Sequence, residues 1–214
     1  MLPKQYSFSN MNSTASLVEK AISEAPELSL WHISDFLDYG KANNVKVVLS
    51  RLAKEGKLRR AIDGIYYRPK TVLGIEVPPS VHEIARKIAS LHRWSIVPSG
   101  ETALNALGLS TQVPSEYIYS SDGPYRDYLI DGIPLHFRHK STRFIKGMSH
   151  KTALFVEAMK ALGRENVDDA TIKALAKSFG EGEINQILNE AKSAPEWIYD
   201  TAMRVQEEKQ WKGS

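Results

Sequence analysis

Residues 42–69 constrain the fold of this chain more than any other stretch. Val45, Val48, Leu49 and Leu52 recur at i, i+3, i+4 and i+7, so residues 42–55 predict an amphipathic helix with one greasy stripe. Gly56 stands where a helix ends in a left-handed residue. Two β-prone runs follow, residues 57–61 and 65–68, joined at Asp63–Gly64, a strong hairpin signal. Upstream, residues 33–38 predict a short helix, and Gly40 supplies a turn. The order helix, short helix, turn, helix, hairpin is that of a winged helix-turn-helix. Its second helix suits the major groove, and its hairpin lies alongside.

The charge follows the same stretch. Residues 41–70 carry nine Lys and Arg against Glu55 and Asp63, a local +7 in a chain whose net charge is +3. Residues 1–40 carry −3. Positive charge packed into thirty residues is the footprint of a polyanion-binding surface. On the helix side opposite the stripe stand Asn43, Lys46, Val47, Ser50, Arg51 and Lys54. Asn43, Lys46, Val47 and Ser50 are the candidate base readers: asparagine pairs with adenine, lysine with guanine, and Val47 suits a thymine methyl. Lys41, Arg51, Lys54, Arg59 and Arg60 are the candidate phosphate contacts, which set register without reading sequence. Asn44 joins this face or instead caps the helix or faces the first helix. Side chains alternate across a strand, so at least one of Arg59 and Arg60 should point outward.

The rest of the chain predicts an α+β protein: an N-terminal winged helix-turn-helix, then a mixed α/β domain with a helical C-terminus. Residues 1–12 read as a loose tail and residues 13–70 as the DNA-binding domain. Within that domain Ser16 and Glu19 fit a capping box for a first helix stopped by Pro26. Residues 71–80, with Pro78 and Pro79, read as an extended linker. Residues 81–214 form the second domain. There Ser99 reads as a helix N-cap, Asp122–Gly123 and Asp131–Gly132 as tight turns between strands, and Pro195 as a break between helices.

No enzyme signature emerges. Phosphate-cradling glycine loops, a GxSxG elbow and HExxH are all absent from the sequence, and there is no cysteine. His136 and His139 lie three apart on a strand pattern and so face opposite ways, which argues against a metal pair. The expectation is a non-enzymatic protein without metal or cofactor. The lack of cysteine, the polar N-terminus and the lack of any apolar run near about 18 residues fit a cytoplasmic chain.

Two blocks together carry a family resemblance. The first is LSRLAKEGKLRRAIDGIYYRP, residues 49–69. The second is PSGETALNALGLSTQVPSEYIYSSDGP, residues 98–124, followed by IPLHFRHKS. The chain resembles the AbiEi family of bacterial abortive-infection antitoxins over residues 13–162. The resemblance implies a repressor that binds inverted repeats in its own promoter through the winged helix. It also implies a C-terminal antitoxin domain acting against a co-encoded nucleotidyltransferase-like toxin in phage defence, without need of a stable complex. A homodimer or cooperative binding on DNA stays open. So do two other classes: a stand-alone regulator or protein-binding module docking an acidic partner through the basic face, and an enzyme or RNA binder using Tyr117, Tyr119 and Tyr125 for stacking.

Overall fold

The computed structural model describes residues 13–141 and 147–213. The tail expected over residues 1–12 lies outside the described residues. The class is α+β, and the chain divides into two compact units, one ending at Lys87 and the other beginning at Ile88.

In the first unit α1 (Thr14–Glu24) is capped by Ser13, whose hydroxyl accepts from the Ser16 amide at 3.2 Å. The expected Ser16 capping box is therefore replaced by a cap three residues earlier, and Glu19 is released for another partner. A short β1 (Leu30–Trp31) leads to a 3-10 helix, Ile33–Tyr39. His32 caps that helix: its ring accepts from the Ser34 amide, and Asp35 accepts from the His32 amide at 2.8 Å. Gly40 follows, where a Cβ would strike the Thr14 side chain, so the approach of α1 to this turn demands glycine. Thr14 donates to the Tyr39 carbonyl at 3.0 Å across the same contact.

Helix α2 (Ala42–Lys54) runs as the periodicity predicts, with Val45, Val48, Leu49 and Leu52 buried. Lys41 occupies its N-cap with no side-chain bond, and Asn44 is exposed rather than capping. After Gly56 at φ +76, β2 (Arg59–Ile62) and β3 (Ile65–Tyr67) form the expected antiparallel hairpin. β1 pairs on the far side of β3, giving a three-stranded sheet in the order β1-β3-β2. Val18, Ile22, Phe36, Leu58 and Tyr66 close a core around the α2 stripe. Arg68, just past β3, donates to the Ser23 carbonyl at 2.9 Å and to that of Ala25, so a cation closes the C-terminal end of α1.

The extended linker expected over residues 71–80 is instead mostly a second hairpin, β4 (Lys70–Val72) and β5 (Ile75–Val77). Leu73 and Gly74 make its turn, both at positive φ. β-Branched residues on either side of Leu-Gly favour pairing more strongly than the two later prolines oppose it. The prolines merely end β5 before α3 (Val81–His92), and the division between the units falls inside this helix.

The second unit is built on a four-stranded sheet ordered β6-β7-β9-β8, from β6 (Ile96–Ser99), β7 (Tyr117–Ser121), β8 (Arg126–Ile130) and β9 (Ile133–His139). β7 and β9 are parallel and the other neighbours antiparallel. Asp131–Gly132 makes the β8–β9 turn, both residues at positive φ. Ser99 does not cap the next helix. It stays in β6, buried and paired with Ile118, and Gly100 turns the chain into α4 (Glu101–Ala106). α5 (His150–Leu162) is buried continuously from Thr152 to Met159, so it is the axis of this unit. α6 (Asp169–Ser178), α7 (Glu181–Glu190) and α8 (Glu196–Gly213) pack their apolar stripes, with Phe179, Ile184, Ile187, Ile198 and Val205, into the same core. Among the described residues no helix is long and apolar enough to cross a membrane.

Candidate nucleic-acid interface

The exposed side of α2 presents the residues that the helical period places there. Asn43, Asn44, Lys46, Arg51 and Lys54 are exposed and Ser50 is half-buried. Val47 is 68% exposed, an apolar side chain in the middle of a polar face. The buried stripe on the other side fixes the helix, so this face is presented rigidly. Lys41, Lys46 and Lys54 form no ion pair among the described residues. Three ammonium groups along one helix are available to an incoming polyanion.

The arginines behave differently. Arg51 is held by Glu19 of α1 and by Glu55 at 3.1 Å. The hydrogen bond and charge of Glu19 are the main cause holding the guanidinium above its ordinary value. Glu55 also takes Lys57 at 2.8 Å, and the Lys57 ammonium keeps the Glu55 carboxyl below the usual carboxylate range. Arg59 binds Glu76 of β5, its Nε lying 3.0 Å from Oε1 and 3.1 Å from Oε2. Arg60 lies over the Tyr66 ring, 5.4 Å from its centroid, donates to the Tyr66 hydroxyl at 3.1 Å, and meets Asp63 at 3.5 Å. Both arginines of the β2 strand are exposed, where the alternation required only one. A register shift between Arg60 and Ile62 breaks the strict in–out pattern.

The local +7 is thus unevenly available. Arg51, Lys57, Arg59 and Arg60 are matched by Glu19, Glu55, Glu76 and Asp63, whereas Lys41, Lys46 and Lys54 are not. The Glu55 pairing is legible from the i, i+4 spacing to Arg51. Glu19 and Glu76 lie 32 and 17 residues from their arginines, and no local pattern points to them.

In the second unit the histidines are tied into the fold. His136 sits between two carboxylates, Nδ1 2.7 Å from Asp127 and Nε2 3.1 Å from Glu116, and Arg138 donates to Asp127 at 2.6 Å. The hydrogen bond from His136 is the leading cause that holds the Asp127 carboxyl below its ordinary range. His139 lies 2.9 Å from the Gly123 carbonyl. Tyr119 is 2% exposed and packs near Phe137, so it is not free to stack on a base; Tyr117 is half-buried and Tyr125 exposed. Among the described residues no group of three or more His, Asp or Glu is placed to hold a metal ion.

No curated protein matches the chain. Among solved structures it is similar to the crystal structure of RV2827C protein from Mycobacterium tuberculosis, with 14% identity over 91% of this chain and 76% of that one, and a TM-score of 0.42. That likeness is too slight to carry an argument. Residues 17–187 match a family of unknown function, DUF6088, and the chain belongs to that family.

Proposed function

We propose that the first unit is a winged helix-turn-helix that binds duplex DNA, and that the protein is a transcriptional repressor and antitoxin of a bacterial toxin–antitoxin operon. One observation carries the DNA half: a rigid helix whose outward face holds Asn43, Lys46, Val47, Ser50 and Lys54, with three cations unpaired among the described residues. In this reading α2 enters the major groove, about 12 Å wide, and the β2–β3 hairpin lies along the backbone. Asn43, Val47 and Ser50 meet base edges, with Asn44 beside them; Lys46 reads guanine in the promoter and falls on a phosphate in random duplex, where it has no guanine in register to read. Lys41 and Lys54 meet phosphates, joined by Arg59 and Arg60 where DNA displaces their present partners. The antitoxin half rests on the resemblance of residues 49–69 and 98–124 to the abortive-infection antitoxins. Its counterpart is a nucleotidyltransferase-like toxin.

Anisotropy titration with the protein's own promoter and with random duplex tests the DNA half. Asn43→Ala is expected to cost about 1–3 kcal/mol on the promoter and little on random sequence. Equal losses on both would demote Asn43 to a backbone contact. A second reading is favoured by the exposed apolar side chains of the β4–β5 hairpin, Val72, Leu73 and Ile75. Here the unit is a protein-binding module, and a stoichiometric protein complex without promoter binding at physiological salt would select it.

A further inference from the structure

The Arg59–Glu76 pair has the form of an anion site already filled from within. Arg59 Nε faces both oxygens of one carboxylate, at 3.0 and 3.1 Å. The Tyr67 hydroxyl donates to the same carboxylate at 3.4 Å, and Arg59 Nη1 donates to the Gly56 carbonyl at 3.3 Å, which fixes the guanidinium plane. A carboxylate and a phosphodiester each offer a guanidinium two anionic oxygens, so the group that holds one holds the other. Glu76 reaches this place from the β4–β5 hairpin, a two-stranded ribbon of six paired residues. Such a ribbon has little stability of its own. Leu73 at its tip is 98% exposed, and Val72, Ile75 and Val77 also stand in solvent.

We propose that Arg59 and Tyr67 form a phosphodiester subsite which Glu76 occupies in the free protein, so that the β4–β5 hairpin is a strap that duplex DNA displaces. The proposal rests on the DNA-binding reading above and adds a regulatory step to it. The strap lowers affinity for any duplex. It spares the unpaired lysines of α2, and it sets a threshold that non-specific DNA must pass before the hairpin engages the backbone.

The test is a double-mutant cycle read by salt titration on random duplex DNA, using the full chain and variants checked by circular dichroism. Glu76→Gln is expected to tighten binding about two- to fivefold, the hold of one exposed ion pair. Arg59→Ala is expected to lower the slope of log K against log salt by about 0.9, one phosphate contact. In the Arg59→Ala background the gain from Glu76→Gln should vanish, and DNA should speed hydrogen exchange of the β4–β5 amides in the wild-type chain. A gain from Glu76→Gln of equal size in both backgrounds would overturn the strap, because Glu76 would then act only as a repelling charge. So would an unchanged slope in Arg59→Ala or unchanged exchange on adding DNA. Any of these three results, with binding still dependent on Lys46 and Lys54, leaves the DNA-binding reading standing. Absence of duplex binding by every variant overturns both.

Discussion

At the scale of single residues, formal charge and available charge are different quantities. Lys46 and Arg51 both stand on the exposed side of α2 and both count toward the local +7. Arg51 is held between Glu19 and Glu55, whereas Lys46 has no ion pair among the described residues. A phosphate must compete with two carboxylates for the first and only with water for the second. Lys46→Ala should therefore reduce the salt slope of DNA binding by about 0.9, and Arg51→Ala should change it by much less. Titration of both variants against one random duplex decides the point, and equal changes would show that the Glu19 and Glu55 pairs open on contact with DNA. The readable part of this site was its helix face, because a 3.6-residue period needs no tertiary knowledge. Which cations were spent on acids was not readable, since Glu19 and Glu76 arrive from distant elements.

At the scale of elements, the strongest local patterns carried over and the weaker ones were overruled. α2 and the Asp63–Gly64 hairpin stand where periodicity and turn chemistry put them. The 71–80 segment does not remain a linker. Prolines at 78 and 79 favour extended chain, but the Leu73–Gly74 turn decides the segment, its flanking Val72 and Ile75 pairing across the ribbon. Ser99 and Ser16 do not cap, because each helix starts at a neighbouring residue: Ser99 ends β6 one residue before the Gly100 N-cap, and Ser16 lies in the first turn of α1, its main-chain amide bonded to the Ser13 hydroxyl. Leu49 is fully buried in the α2 stripe, and Leu49→Ala should destabilise the first unit by about 2–5 kcal/mol in urea unfolding. In the second unit Glu190 ends α7 and accepts from the Ser149 amide at 2.7 Å and from Gln186 at 2.8 Å. Burial pushes its carboxyl up, but bonds from Thr152, Ser149 and Gln186 outweigh that and lower it from 4.5 to about 2. A depressed carboxylate contributes stability in full above its unfolded value and loses it as pH falls toward the folded one. Glu190→Gln should thus be less stable than wild type at neutral pH, with the gap closing between pH 4.5 and about 2. A gap independent of pH in chemical unfolding would remove the carboxylate from that role.

At the scale of the whole molecule, a net charge of +3 says little about a polyanion partner, and its placement says more. The acids of residues 1–40 do not simply dilute the basic stretch. Glu19 reaches across to Arg51, so the first helix tunes the charge of the second. What remains uncommitted among the described residues includes three lysines on one rigid helix, beside a hairpin whose arginines are held by acids. A family of unknown function acquires a concrete physical hypothesis from that arrangement: a surface whose affinity for any duplex is set by lysines and whose sequence preference is set by Asn43, Val47 and Ser50 between them, with Lys46 serving both. The most direct test is the salt dependence of binding to random duplex DNA, compared for the wild-type chain and for Lys41→Ala, Lys46→Ala and Lys54→Ala combined. The wild type should bind with a steep negative slope, and the triple variant should lose about 2.7 from it, three contacts at about 0.9 each. Binding without salt dependence, or a triple variant that matches the wild type, would contradict the account.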